Sequence, residues 1–120
     1  MTEMKKTLFI DIDGTLVKHK GNLSKMFIEE MEILPGVLDK FNEWNAKGYK
    51  IILTTGRNEC LREITESQLL KNGIFWDQLV MGLPRGERIL INDFKPNSNM
   101  NVATAIQIDR DKGIENVIID

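Results

Sequence analysis

The chain is poor in cysteine, histidine and proline, with one, one and three of each among 120 residues. The single thiol, Cys60, has no partner for an intrachain disulfide, and with His19 alone beside it no ordinary zinc site can be assembled. A reducing, cytoplasmic setting is therefore expected. No run of about 18 apolar residues occurs, and the polar stretch Met1 to Lys6 carries no apolar core of a secretory signal, so neither a membrane span nor standard export is expected. Single-sign charge is also lacking: 16 Lys and Arg stand against 18 Asp and Glu, giving a net charge of −2 and a pI near 5.5. That balance supplies no positive field for a nucleic-acid backbone, which disfavours a polynucleotide partner. There are no internal repeats, low-complexity tracts or like-charge blocks, so residues 1–120 read as one domain. At this mass a monomer exposes roughly 6,600 Å² folded against roughly 20,000 Å² unfolded, enough burial for a core without staples.

Within that frame, hydrophobic periodicity alternates between short runs and helical stripes. Thr7 to Ile12 reads as a strand broken by Asp13-Gly14. Pro35-Gly36 opens a helix with its stripe on Val37, Leu38, Phe41 and Trp44, closed by Gly48. Tyr49 to Leu53 forms a second strand, and Leu61, Ile64, Gln68 and Leu69 mark a second helix that Asn72-Gly73 stops. Leu79 to Met81, Arg88 to Ile91 and Val117 to Ile119 complete five expected strands, with a helix from about Asn101 to Lys112 before the last. Such alternation predicts an α/β fold: a Rossmann-like three-layer sandwich with a central parallel sheet and helices on both faces. Ligands bind such sheets at the carboxyl ends of the strands. Three of those ends are polar: Asp11 with Asp13, Thr55 with Arg57, and Asp93 with Lys95. Their convergence at one edge is the central expectation.

Two carboxylates two residues apart at a strand end point to the same side. They repel unless a cation offsets them, and a hard divalent ion such as Mg²⁺ prefers such oxygen ligands, with Asp93 able to add another. Arg57 follows Thr55 on one loop and suits bidentate binding of phosphate or carboxylate, so it is expected to touch substrate. Gly14 and Thr15 are expected to turn backbone N–H groups toward the phosphate.

These segments carry a family resemblance. FIDIDGTLV resembles motif I (DxDGT) of the haloacid dehalogenase (HAD) superfamily of phosphohydrolases, IILTTGR looks like its motif II, and ILIND looks like its acidic motif IV. The resemblance implies Asp11 as nucleophile, forming an aspartyl phosphate, and Asp13 as the acid/base. It also implies Mg²⁺ held by the Asp11 side chain, the Asp13 backbone carbonyl and Asp93, with Thr55 and Gly56 at the phosphoryl group. Motif IV has Asn92-Asp93 where the family has two acids. The motif III lysine has no counterpart in Gly82 to Glu87, which leaves Arg85, then Lys95, as candidate cations. Leu16 to Leu34 has room only for a flap, so the chain resembles the capless members, whose open site suits a large substrate or a homo-oligomer that completes the pocket.

The implied activity is a Mg²⁺-dependent phosphomonoester hydrolase. INDFKPN, TAI and RDKG resemble small bacterial proteins acting on phosphosugars or glycans in surface-polysaccharide metabolism. TTGR is also similar to polynucleotide end phosphatases, and a non-enzymatic receiver-like module has the same length. A receiver places its phosphoacceptor Asp at the end of a middle strand, where this chain has Thr54-Thr55-Gly56. His19 reads as a solvated flap residue, Cys60 as inert, Trp76 as packing, and Asp109 to Lys112 as a solvated face.

Overall fold

The computed structural model describes residues 4–97 and 99–119. Three parallel strands lie in the order β1 (Thr7–Asp11), β2 (Lys50–Thr54) and β3 (Gln78–Val80). The register sets Leu8 beside Ile51, Ile10 beside Leu53 and Asp11 beside Thr54, so the loops leaving β1 and β2 start side by side. Between the strands run α1 (Leu23–Ile28), α2 (Val37–Ala46), a 3₁₀ turn (Glu59–Leu61) and α3 (Arg62–Lys71). Among the described residues no helix is long and apolar enough to cross a membrane.

Each long helix begins and ends where local chemistry demands. Gly36 caps α2 in the left-handed conformation, Asp39 sits in its first turn, and Val37, Phe41 and Trp44 are its buried residues. An acid there complements the helix dipole, and the i, i+4, i+7 spacing faces one side. Asn72 stops α3 by donating its Nδ2 to the Gln68 carbonyl at 2.8 Å. The short α1, not expected from periodicity, is held by Asn22, whose side chain accepts from the Lys25 N–H at 2.9 Å; it buries no residue.

The core lies on one face of the sheet. Leu8, Ile51, Leu53 and Leu79 alternate inward and join the buried residues of α2 and α3, and Phe41 meets Phe75 edge-on at 5.6 Å between ring centres. Right-handed crossovers through strands taken in order 1-2-3 put both connecting helices on that face. Trp76 packs against the same core, as expected. The opposite face is bare: Phe9 is 60% and Val80 39% exposed.

The α/β class with a parallel sheet is therefore present, and the C-terminal third departs from expectation. Arg88–Ile91 and Val117–Ile119 form no strand, residues 101–112 form no helix, and no second helical layer covers the sheet among the described residues. The chain is pinned where β3 ends, because Gly82 N–H donates to the Arg57 carbonyl at 2.8 Å and Leu83 N–H to the Thr55 carbonyl at 3.1 Å. A parallel strand normally needs a crossover of a dozen or more residues to return to the start of the sheet. Only residues 84–87 separate this pin from Arg88. Every described residue from 84 to 101 is exposed.

The chain rejoins the core further on. Ile114 is buried and donates its N–H to the Pro35 carbonyl at 2.9 Å. Two glycines make that approach possible. A Cβ on Gly36 (φ +82°) would lie 2.4 Å from Glu115 Cα, and one on Gly113 (φ +85°) would lie 2.4 Å from the Pro35 oxygen. Gly36→Ala is therefore expected to cost at least about 2 kcal/mol, combining left-handed strain with a backbone clash. Urea unfolding checks this; a loss below about 1 kcal/mol would mean that the tail is not seated on the Pro35-Gly36 turn.

Candidate active site

β1 delivers Asp11 and Asp13 to the carboxyl edge of the sheet, with Ile12 between them wholly buried. After Asp13 the chain turns tightly, as Thr15, Leu16 and Val17 N–H groups converge on the Ile12 carbonyl and Gly14 N–H donates to Val17 O at 2.7 Å. The Gly14 and Thr15 amides are thus consumed by the turn, contrary to the expectation that they face a phosphate. Asp11 is open to solvent, and its Oδ2 accepts from the Thr15 hydroxyl at 3.3 Å. Neighbouring atoms strip part of its hydration and the Asp13 charge lies close, so its pKa is raised; the Thr15 and Ile12 hydrogen bonds and the Arg88 charge act the other way.

Asp13 has a different environment. The Arg57 guanidinium grips it with two bonds, Nε to Oδ2 and Nη2 to Oδ1, both 2.8 Å, and Nη1 donates to Thr65 Oγ1 at 2.9 Å. The Arg57 side chain is 2% exposed and that of Asp13 13%. Arg57 is therefore a buried clamp between the β1 loop and α3. This corrects the expectation that it touches substrate, because all three guanidinium nitrogens already face protein oxygens. Thr65 was missed in the sequence. Its signal was a polar residue in the row Leu61, Thr65, Leu69, otherwise apolar at i, i+4, i+8 and buried throughout.

Thr55 is buried directly after β2, and its hydroxyl oxygen accepts from the Arg57 N–H at 3.1 Å. Gly56 lies exposed between them. The β1 and β2 loops thus meet as expected. The third cluster does not join them: among the described residues no group of three or more His, Cys, Asp or Glu gathers, so Asp93 is not brought to Asp11 and Asp13. Arg85 and Lys95 are exposed and make no ion pair with either aspartate. The cation held in the site is Arg57, and Arg88 adds favourable charge at Asp11.

A second unforeseen contribution comes from the C-terminal tail. Asp111 N–H donates to the Gly14 carbonyl at 2.8 Å, and the Asp111 carboxylate accepts from the His19 N–H at 2.9 Å. The Arg110 stem lies against Gly14. The 109–112 run is thus partly a brace for the loop after β1 rather than a solvated face. Cys60 is exposed and free.

The chain matches no protein-family model, and no curated protein matches it. It is similar in structure to a structural-genomics target from Vibrio cholerae solved by crystallography, at 22% identity and a TM-score of 0.53 over 81% of this chain and 90% of that one. At that identity the likeness concerns the fold alone.

Proposed function

We propose that the chain is a HAD-type phosphomonoester hydrolase in which Asp11 is the nucleophile and Asp13 the acid/base. The observation that carries this reading is the unequal treatment of the two aspartates. Asp13 is neutralised and oriented by Arg57, whereas Asp11 stays open, with no ion pair among the described residues. A carboxylate free to attack beside one held in place is the division of labour that double displacement at phosphorus needs. In the first step, with Asp13 protonated on one oxygen by solvent while its remaining lone pairs keep the Arg57 bonds, an Asp11 oxygen bonds to phosphorus, the ester P–O bond breaks and Asp13 gives its proton to the departing alkoxide. In the second, Asp13 takes a proton from water, the water oxygen bonds to phosphorus, and the bond to Asp11 breaks. Phosphate leaves and both carboxylates return to their starting states. Thr55 and Gly56, which follow the β2 residue registered beside Asp11, would hydrogen-bond the phosphoryl oxygens.

The residues present fit Mg²⁺ in part. Asp11 offers a hard-oxygen ligand crowded by a like charge, the Asp13 carbonyl would be a second, and Mg²⁺ needs only one or two carboxylates when phosphate and water fill the rest. When bound, the ion would screen the repulsion between Asp11 and the incoming phosphate. On this reading the substrate is a phosphorylated sugar or glycan handled in the cytoplasm, and the sheet is the centre of a Rossmann-like sandwich. Phosphate release from a panel of sugar phosphates, nucleotides and 3′-phosphorylated oligonucleotides, with Mg²⁺ present or chelated, is the test. Turnover that Mg²⁺ restores after chelation is expected, with Asp93→Asn raising the Mg²⁺ needed for half activity about tenfold or more. Full activity after exhaustive chelation would remove the metal from the scheme.

A further inference from the structure

We infer that residues 84–97 and 99–107 belong to an arm exchanged with a second copy of this chain, whose Arg88–Ile91 segment lies parallel along the free edge of β1 and whose Asp93 completes the site of its neighbour. The exchange stands on the fold alone; the role of Asp93 rests on the function proposed above.

The sequence of β1 first demands a neighbour. Leu8, Phe9 and Ile10 are consecutive apolar residues, the pattern of a parallel strand covered on both faces and paired on both sides. Among the described residues β1 pairs with β2 only, and its Phe9 face is open. The arm shows the same deficit in reverse. Ile89, Leu90 and Ile91 are also consecutive, with exposures of 75%, 58% and 91%, followed by Phe94 at 64% and Ile106 at 54%. A long apolar edge and a long apolar segment, both unpaired, invite each other.

Chain geometry decides that they meet between copies. From the pin at Leu83, the five steps to Arg88 can span about 17 Å when fully extended. Reaching the outer edge of β1 in the parallel sense requires about three strand spacings sideways and a strand length back, roughly 20 Å before any detour around side chains. The tether is also drawn in, since Arg88 Nη1 donates to the Pro84 and Gly86 carbonyls at 2.8 and 2.9 Å. Within one chain only an antiparallel return beside β3 is in reach, and that would carry Asp93 to the wrong end of the sheet. A second copy is free of the tether. Laid parallel to β1, its Ile91 ends level with Asp11, and Asn92-Asp93 emerge at the edge that holds Asp11 and Asp13.

The exposed area is what such a union needs. The chain exposes 8542 Å², against roughly 6,600 Å² for a monomer of this mass. Its radius of gyration is 15.3 Å, where about 13.6 Å is usual for the length. The excess of about 1,900 Å² per chain lies in the range of obligate interfaces, well above the ~800 Å² per partner of an ordinary complex. Reciprocal exchange about a two-fold axis would remove it from both chains at once.

Light scattering after size exclusion, on wild type and on Ile89→Asp/Ile91→Asp, reads the exchange directly. A wild-type mass of two or more chains, falling to about 13.8 kDa in the variant with its circular dichroism retained, is expected. A single-chain mass for wild type, or an unchanged assembly in the variant, would overturn the exchange. Joint refolding of Asp11→Asn with Asp93→Asn tests the shared site. At a Mg²⁺ concentration that sustains wild type and is well below the need of Asp93→Asn, each alone should show little activity, and an equal mixture should recover about one quarter of wild-type activity, because half the cores and half the arms are intact and meet at random. No gain over the separate variants would place Asp93 on its own chain. If wild type hydrolyses no phosphomonoester at all, the proposed function fails, and the masses alone still decide the exchange.

Discussion

Arg57→Met should lower the unfolding free energy by about 3–5 kcal/mol, the usual cost of stripping one partner from a buried ion pair. The methionine fills much of the same volume, so the loss is electrostatic in origin. It leaves the Asp13 carboxylate without its two donors and the buried Thr65 hydroxyl without its own. Against a total of about 5–15 kcal/mol for a domain, this is enough to bring the protein near its threshold. Arg57→Lys should fall between the two, because an ammonium keeps the charge but cannot reach two carboxylate oxygens and Thr65 together. Asp13→Asn in the Arg57→Met background should recover part of the loss by removing the stranded charge. Urea titrations of wild type, Arg57→Met, Asp13→Asn and the double variant close the cycle. If Arg57→Met unfolds within about 1 kcal/mol of wild type, the clamp between the β1 loop and α3 contributes little to the fold.

That clamp also shows where reading the sequence succeeds and where it stops. β1, α2, β2, α3 and β3 were legible because their signals are local: Pro35-Gly36 and Gly48 bracket one helix, Asn72-Gly73 closes the other, and the apolar periods of two and 3.6 lie between. The pairing of Asp11 with Asp13 and the approach of Thr55 followed from strand alternation and parallel order. Arg57 was placed on the right loop but given the wrong partner, because burial of its guanidinium depends on Thr65, eight residues on and across the β2–α3 turn. The Asp111 brace on Gly14 joins positions nearly a hundred residues apart, and only Gly113 hinted that the tail comes close to another backbone. Arg88 to Ile91 was read as a strand and forms none within this chain. Periodicity shows that a segment wants neighbours, whereas the length of the tether decides whether its own chain can supply them.

Asp11→Asn and Asp13→Asn should both abolish turnover, each by on the order of 10³-fold or more, yet move stability in opposite directions. At Asp11 the amide removes a charge that is crowded by Asp13 and partly desolvated. Stability should therefore stay level or rise by up to about 0.5 kcal/mol, the ordinary range for a solvent-open position. At Asp13 the amide can accept only with its single oxygen, so Arg57 loses half of its buried grip, and a cost of about 2 kcal/mol or more is expected. The pH dependence separates the two further. The folded-state pKa of Asp11 is raised, so its ionised form costs stability above that pKa, and the cost vanishes as the pH falls below the unfolded value. Any advantage of Asp11→Asn should accordingly appear near neutral pH and disappear in acid. Thermal melts at pH 7 and pH 3, run beside phosphate-release assays, test both halves. Turnover surviving in a purified Asp11→Asn protein would remove the nucleophile from the scheme, and equal melting of the two variants at pH 7 would mean that the aspartates occupy equivalent environments, leaving nothing to divide attack from proton transfer.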